Sequence, residues 1–261
     1  MKWGLLGGAF DPIHFGHLRS GQEVLELMGL DRVVFIPSFI PPFKRHLNIT
    51  PFEHRLRMAQ LAAGSNEAFL VSDVEQREKL SFTIDTVRKL REENGNDLEL
   101  YFIMGQDAFR DIAGWKDWRE LLGSCSFVIT TRPGSDCGDP DAALPAEVAL
   151  MYKYDEGSNS FKGPSGSRLY FRKISFLEIS STDIRERLSR GLSVRYLLPD
   201  AVIEYIRQYG IYSYKGAYGV AKAFRLPPRG RFQIGPCLGA IFSPRSTSYL
   251  SILAINDGIA D

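Results

Sequence analysis

Short apolar segments that alternate with helical patterns are the feature that most limits the fold of this chain. Six segments are predicted to be strands: residues 2–6, 32–36, 69–72, 98–104, 126–131 and 172–177. Between them, apolar residues recur at spacings of three and four, as on one face of a helix. Alternation of strands with helices is typical of an α/β domain with a mainly parallel sheet. We therefore predict an α/β fold that binds ligands beyond the carboxyl ends of its strands.

The predicted helices have recognisable start and stop signals. Thr50 as N-cap, Pro51 at the first helical position and Glu53 as capping-box partner predict a helix to about residue 63. Gly95 ends a second helix that starts near residue 82. Further helices are expected near residues 17–28, 146–151, 184–188 and 199–209. The region 132–162 is richer in Gly, Pro, Asp and Ser and predicts a long surface excursion.

Composition excludes several classes of protein. With 261 residues, of which 44% are hydrophobic, the chain can bury the core of one large domain, alone or with an appendage. A net charge of +1 argues against non-specific nucleic-acid binding and favours small-molecule ligands. Cys125, Cys137 and Cys237 are far apart, which predicts no disulfide framework and no structural zinc site and fits a reducing cytoplasm. No segment approaches the about 20 apolar residues that span a membrane.

A glycine pair and two histidines lie between the first strand and the first helix. Gly7 and Gly8 end the strand, and His14, Gly16 and His17 follow at the start of the helix. Unpaired backbone N–H groups and the positive end of the helix dipole favour phosphate at such a turn. The G-x-G-x-x-G and G-x-x-x-x-G-K-[ST] patterns do not occur in the chain. The alternative is that both histidines only fill polar positions at a turn.

A second candidate phosphate site follows the last predicted strand. Ser180, Ser181 and Thr182 can cap a helix and also donate to an anion, and Arg185 in its first turns can reach the same oxygens. The alternative is a plain serine N-cap with an arginine that faces solvent. Two such helix starts, both beyond the ends of strands, favour a nucleotide triphosphate as ligand.

The H-x-G-H pattern behind a glycine-rich strand end resembles the signature of the nucleotidyltransferase superfamily, which includes the class I aminoacyl-tRNA synthetases. Over about residues 1–212 the chain closely resembles the bacterial nicotinate-nucleotide adenylyltransferases. Besides the two phosphate motifs, the similar segments are residues 36–44, 81–83, 102–107 with Trp115, 131–134 and 198–212. The resemblance implies a Rossmann-like parallel sheet flanked by helices. It also implies transfer of the adenylyl group of ATP to nicotinate mononucleotide in NAD biosynthesis, with Mg²⁺ bound mainly through the ATP phosphates.

The resemblance assigns roles to named positions. It places His14, His17 and Arg185 in catalysis. It places ATP against Gly7, Gly8, Ala9, Phe10, Gly16, Gly105, Asp107, Ser180, Ser181 and Thr182. It places the mononucleotide against Lys44, Phe82, Thr83, Trp115, Lys116 and Arg132, with the pyridine ring stacked on the tryptophan. The partners are then ATP and nicotinate mononucleotide, without nucleic acid or membrane, and a homo-oligomer is left open.

Some positions depart from the family pattern or have simpler explanations. Ala9 stands where the family usually has threonine, and Phe43 stands where it has histidine, with His46 nearby. Trp115 and Trp118 are at helical spacing and could both be core aromatics. Lys44 lies in a basic stretch that could be a solvated loop.

The chain beyond about residue 213 has no counterpart in that family. We expect residues 1–213 to form the catalytic domain and residues 214–261 to be a poorly packed extension, because Pro and Gly interrupt every long window there. Residues 248–255 could instead add an edge strand or an oligomer contact.

Three other functions compete with adenylyl transfer to nicotinate mononucleotide. A related transferase could act on phosphopantetheine, although the Trp115 context and the chain length argue against it. A non-catalytic nucleotide-binding protein could keep the same fold, but the histidines, Asp107 and Arg185 argue for an enzyme. A synthetase fragment would carry a K-M-S-K-S-like loop and a basic RNA surface, and the sequence has neither.

Overall fold

The computed structural model describes residues 1–40, 49–76, 82–95, 97–131 and 144–212. Within these residues, eight strands form one sheet in the order β3-β2-β1-β4-β5-β8-β7-β6. The strands are β1 (Lys2–Gly8), β2 (Arg32–Pro37), β3 (Phe69–Val71), β4 (Glu99–Gly105), β5 (Ser126–Thr131), β6 (Lys153–Asp155), β7 (Ser160–Lys162) and β8 (Arg168–Lys173).

Strands β1 to β5 and β8 run parallel, whereas β6 and β7 add an antiparallel edge. The chain builds outward from β1 to β3, then crosses back so that β4 pairs with the other side of β1. In open α/β sheets, ligands bind at the carboxyl ends of the strands where the order reverses. The predicted Rossmann-like α/β fold is therefore confirmed, and its switch point lies between β1 and β4.

The helices are α1 (Phe15–Met28), α2 (Phe52–Ala63), α3 (Thr83–Asn94), α4 (Gln106–Arg110), α5 (Trp118–Ser124), α6 (Ala146–Ala149), α7 (Ser181–Ser189) and α8 (Asp200–Tyr209). Helices α1 to α6 lie between strands, and α7 and α8 follow the last strand; the six predicted helices are present, whereas α4 and α5 were not predicted. Gly29 and Gly210 follow α1 and α8 in the left-handed conformation that glycine adopts without strain. None of the described helices is long and apolar enough to cross a membrane.

Two apolar cores lie on the opposite faces of the sheet. Side chains alternate along each strand, so Leu5 enters one core and Leu6 enters the other. Helices α3, α4 and α5 cover the first core, and α1, α2, α7 and α8 cover the second. Because the central strands are buried on both faces, they are nearly continuous apolar runs.

The predicted strand at residues 172–177 is wrong, because β8 spans Arg168–Lys173. After Lys173 the chain leaves the sheet, and the backbone N–H of Ser175 donates to Oε2 of Glu23 in α1 at 2.7 Å. Residues 132–162 are also more than a surface excursion, since β6 and β7 pair within their described part. Short strands with mixed composition carry too little periodicity to be predicted.

The predicted capping box at the start of α2 is wrong. The N-cap residue is Pro51, and no side chain caps the helix. Thr50 serves a tertiary role instead: its carbonyl accepts from Arg55 Nε at 2.8 Å and its N–H donates to Asp11 Oδ2 at 3.3 Å. The predictions for residues 214–261 lie outside the described residues.

Candidate active site

The two histidines of the H-x-G-H pattern meet at the turn between β1 and α1. His14 is the N-cap of α1, and its backbone N–H donates to Nδ1 of His17 at 3.3 Å. The two imidazole rings are stacked with centroids 3.7 Å apart. Because Nδ1 of His17 accepts a hydrogen bond, a neutral His17 carries its proton on Nε2. The turn therefore fixes the tautomer that can donate to a phosphate oxygen.

His14 is held in its neutral form. Its side chain is buried, and desolvation lowers the pKa of His14 from 6.5 to about 4. Its Nδ1 atom is buried without a hydrogen-bond partner among the described residues, which leaves Nε2 as the nitrogen that can reach a ligand. A Cβ at Gly16 would lie 3.0 Å from this ring, closer than ordinary van der Waals contact, so a side chain there would press on the ring.

Phe10 supports the histidines from below. Its ring is buried in the core and meets the His17 ring edge-on at 5.0 Å. Its φ of +47° is unusual for a residue with a side chain. A Cβ at Gly8 would approach the Phe10 ring to 3.1 Å, which explains a glycine at the end of β1. Phe10 was predicted to bind ATP, but its side chain packs in the core, which leaves its main chain to face a ligand.

The second phosphate motif lies directly against the first. Ser180 caps α7 by accepting from Asp183 N–H at 3.0 Å, as predicted. Ser181 Oγ donates to the Pro12 carbonyl at 2.9 Å, and Arg185 Nη1 donates to the Asp11 carbonyl at 2.8 Å. The alternative of a solvent-facing arginine is wrong, since Arg185 is half-buried against the β1–α1 turn.

Arg185 also orients the hydroxyl group of Thr182. Its Nη2 donates to Thr182 Oγ1 at 3.3 Å. The motif therefore presents a guanidinium and two hydroxyl groups next to the histidine turn.

Gly105 and Asp107 lie where the other strand of the switch point, β4, leads into α4. Gly105 ends β4, which pairs with β1, and both residues are exposed. Asp107 belongs to the first turn of α4, where its carboxylate lies 3.8 Å from Arg110 Nη1. The glycine end of β1 and the start of α4 thus lie side by side at the carboxyl edge of the sheet.

Four of the residues predicted for the mononucleotide are described, and they lie on the face of the sheet that α3 and α5 cover. Trp115 is half-buried with its ring edge-on to Phe102 at 6.1 Å, whereas Trp118 is buried in the core. The core alternative is therefore right for Trp118. Lys116 Nζ lies 4.9 Å from the centroid of the half-buried Phe82 ring. Thr83 begins α3 beside them. Lys44 and Arg132 lie outside the described residues.

Comparisons with known proteins agree with this geometry. The cytidylyltransferase-like family model matches residues 5–187. A probable nicotinate-nucleotide adenylyltransferase of Pelobacter propionicus is 42% identical over 214 residues, which are 82% of this chain and 99% of that protein. One from Geobacter sulfurreducens is 42% identical over 217 residues, which are 83% and 100% of the two chains. The chain belongs to the nicotinate-nucleotide adenylyltransferase family.

A solved structure shares the fold of this family member. The Plasmodium falciparum nicotinic acid mononucleotide adenylyltransferase complexed with NaAD has a TM-score of 0.61 and 21% identity, over 81% of this chain and 97% of that chain. The predictions of the family, the fold and the class of enzyme are confirmed.

The sequence analysis did not single out several buried polar residues around the β1–α1 turn. Asp11 is 6% exposed and Arg55 is 1% exposed. Glu23 accepts from Arg19 Nε at 2.5 Å as well as from Ser175, which ties α1 to the segment that leads to α7. Arg55 did carry a sequence signal, because it shares the inward face of α2 with apolar residues.

Proposed function

We propose that this chain transfers the adenylyl group of ATP to nicotinate mononucleotide, forming nicotinate adenine dinucleotide and pyrophosphate. The observation that carries the proposal is the direct contact between the two phosphate motifs at the β1–β4 switch point. A histidine turn, a guanidinium and a hydroxyl-rich helix start converge there, and together they supply the donors that a triphosphate needs.

Adenylyl transfer requires positioning and charge stabilisation more than proton transfer. The phosphate of the mononucleotide is already anionic at neutral pH and attacks the α-phosphorus of ATP in line with the departing pyrophosphate. In our proposal, Nε2–H of His17 and the Arg185 guanidinium stabilise the charge that develops on pyrophosphate. Main-chain N–H groups from Gly8 to Phe10, with Ser181 and Thr182, hold the same phosphates.

His14 acts in this proposal as a neutral donor rather than as a cation. Its burial keeps the ring uncharged at neutral pH, so it adds a directional hydrogen bond and little net charge. Gly105 and Asp107, across the switch point, would face the ribose or adenosine part of ATP.

Mg²⁺ is proposed to arrive with ATP. No group of three or more His, Cys, Asp and Glu side chains that could hold a metal ion is found in the part of the chain that the structure describes. The residues at the turn are phosphate-binding donors, which fits an ion held by the phosphates and by water. When bound, the ion would supply positive charge that neutralises the phosphates.

The mononucleotide is proposed to bind on the face that carries Trp115. Its pyridine ring would stack on Trp115, with Phe82 nearby, and its carboxylate would meet main-chain N–H groups near Thr83 and Lys116. The Lys116 amine itself is paired with Asp85 Oδ2 at 2.8 Å, so the main chain is the better donor for the ring carboxylate. Lys44 is proposed to bind the acceptor phosphate, and Arg132 to line the same cleft.

The test is incubation with ATP and Mg²⁺ and, in separate reactions, nicotinate mononucleotide, nicotinamide mononucleotide or phosphopantetheine, followed by chromatography of the product. We expect a dinucleotide from the nicotinate compound in preference to the amide, because an amide presents its own donors to the N–H groups. Product from phosphopantetheine alone would identify a related transferase. Absence of pyrophosphate release in every reaction would indicate a non-catalytic protein.

The cellular compartment and the oligomeric state of the enzyme are also matters for proposal. We place it in the cytoplasm, because its widely spaced cysteines suit a reducing compartment. The sequence leaves a homo-oligomer open, and light scattering of the purified protein would show whether one forms.

A further inference from the structure

Asp11 joins three distant parts of the chain at the β1–α1 turn. Its Oδ1 accepts from the Tyr212 hydroxyl at 2.5 Å, and its Oδ2 accepts from the Thr50 N–H at 3.3 Å. Its carbonyl accepts from Arg185 Nη1 at 2.8 Å. Both oxygens of this buried carboxylate are therefore engaged within the protein. Asp11 serves as an anchor for the turn that carries His14 and His17.

Arg55 braces the same turn from the other side. Its guanidinium donates to the carbonyls of four residues: Ala9 at 2.7 Å, Ser38 at 2.7 Å, Phe39 at 3.0 Å and Thr50 at 2.8 Å. Burial lowers the pKa of Arg55, and the charge of Asp11 opposes that shift. The chain that follows the glycine end of β1 is thus held by the buried Arg55 cation at Ala9 and by the buried carboxylate of Asp11.

Tyr212 reaches Asp11 from just beyond the last described helix. Val202, Ile203 and Ile206 bury one face of α8 in the core, and Gly210 then turns the chain with φ of +61°. Burial and the Asp11 carboxylate raise the pKa of Tyr212, so its hydroxyl keeps the proton that it donates. A hydrogen bond to a charged acceptor is stronger than one between neutral groups.

We propose that Tyr212 is a positioning residue for adenylyl transfer, acting through Asp11 to hold the β1–α1 turn in the form that aligns His14, His17 and Arg185. The Tyr212 hydroxyl is hydrogen-bonded to the Asp11 carboxylate, and the Asp11 carbonyl accepts from Arg185, so its effect passes through the turn. The inference rests on the function proposed above. It gives the residues just after α8 a role in positioning the histidine turn, although Tyr212 lies 201 residues from Asp11 in sequence.

The test compares Tyr212→Phe with Tyr209→Phe in the full chain. Each change removes one hydroxyl, but the Tyr209 ring packs against His54 and Tyr205 instead of Asp11. We expect Tyr212→Phe to lower kcat by about tenfold, the effect of losing a hydrogen bond to a charged group, with KM for the mononucleotide unchanged within about twofold. Tyr209→Phe should keep the kcat of the unaltered chain.

Thermal melts of both variants separate positioning from loss of structure. Rates are measured at a temperature where both variants are fully folded, so a fall in kcat cannot come from unfolded protein. Equal kcat for Tyr212→Phe and the unaltered chain would overturn the inference, as would equal losses in the two variants. Inactivity of the unaltered chain would instead count against the proposed function. Dissociation constants for ATP give a readout without turnover, and we expect weaker binding for Tyr212→Phe alone.

A double-mutant comparison tests the route through Asp11. If Tyr212 acts by way of that carboxylate, Tyr212→Phe should cost no further turnover in a chain that already carries Asp11→Asn. Losses that multiply would show that Tyr212 acts elsewhere and would overturn the proposed route. The comparison of the two tyrosine variants decides the positioning role by itself.

Discussion

The two sides of the switch point are built differently. On the triphosphate side, the β1–α1 turn is held by buried Asp11 and Arg55, and its partners come from α2, α7 and the segment after α8. On the mononucleotide side, the ion pairs among Asp85, Arg88 and Lys116 are exposed or half-exposed. One buried hydrogen bond, from Thr86 to Glu75, lies behind them. Exposed pairs of this kind are typically worth about 0–1 kcal/mol.

The difference matches what each side has to do. Charge that develops in a transition state is stabilised best by donors that are already fixed in place, because moving them would cost free energy during the reaction. A flat, aromatic ring is recognised by stacking and by a few main-chain groups, which need less support from buried side chains. We therefore expect changes on the triphosphate side to lower kcat and changes on the mononucleotide side to raise KM.

The largest expected effect comes from His17→Ala on the triphosphate side. Loss of one preorganised donor to developing charge commonly costs about 3 kcal/mol of barrier, so kcat should fall by about a hundredfold or more. ATP binding should weaken less than turnover. Steady-state kinetics and calorimetry measure the two effects separately.

His54→Ala is the matched control for this change. His54 is a buried histidine on α2 whose Nδ1 pairs with the Tyr205 hydroxyl at 2.9 Å, outside the β1–α1 turn. Its variant should retain kcat under conditions where it is folded. Normal turnover in folded His17→Ala, or an equal loss in both variants, would contradict the role of His17.

His14 makes the triphosphate side sensitive to acid. Because the pKa of His14 is about 4 in the folded chain and 6.5 in the unfolded chain, the unfolded chain binds the proton more readily. The free energy of unfolding should therefore fall as the pH drops from 6.5 to 4, by about 3 kcal/mol in total. Urea unfolding at several pH values measures this slope.

His14→Asn removes the titrating group and should flatten the pH dependence in that window. His54 shifts in the same direction and stays in both proteins, so the difference between the two curves isolates His14. Identical slopes for the two proteins would show that His14 is not held neutral by the fold.

The two tryptophans test the mononucleotide side. Trp115→Ala should raise KM for nicotinate mononucleotide by about tenfold, since lost stacking adds about 0.5–1.5 kcal/mol to lost burial, while KM for ATP changes little. Trp118→Ala should instead destabilise the fold by about 3–5 kcal/mol, because that ring is buried in the core. Equal KM values for Trp115→Ala and the unaltered chain would argue against stacking.

Local sequence predicted most of the fold and both phosphate motifs. The strands of the central sheet are apolar runs, and α3, α7 and α8 carry glycine or serine signals at their ends, so local residues determine them. The short β6 and β7 and the true bounds of β8 depend on pairing between strands, which leaves little local signal. Ser180 and Thr50 both look like caps in the sequence. Ser180 caps its helix, whereas Thr50 is taken by tertiary partners that the sequence does not show.

The supports of the site could not be predicted in the same way. Asp11 and Tyr212 are ordinary residues until the fold brings them to hydrogen-bond distance. Phe10 in a motif next to glycines suggested contact with ATP, yet its side chain packs in the core under His17. Contacts between residues far apart in sequence decide these roles, and a single sequence does not show them.

The smallest expected effect concerns the residues beyond the catalytic part. Truncation after Ser213 should leave kcat, both KM values and Tm nearly unchanged, because every predicted site residue precedes that point. Proline and glycine recur at Pro227, Gly230, Pro236 and Pro244, so no long helix or central strand is predicted there. Activity assays and thermal melts of the shortened chain measure the outcome.

A second truncation, after Ile211, makes this prediction sharper. It differs from the first by the loss of Tyr212 and Ser213, and thus of the hydrogen bond to Asp11. We expect the shorter chain to lose turnover while KM for the mononucleotide stays near its original value, because Asp11 supports the triphosphate side.

If truncation after Ser213 already lowers Tm by several degrees or makes the protein insoluble, residues beyond 213 belong to the fold, as the edge-strand alternative for residues 248–255 requires. If both truncated chains keep full turnover, the end of the α8 segment is no part of the support for the histidine turn, and the contrast between the two sides must rest on Arg55 and Arg185.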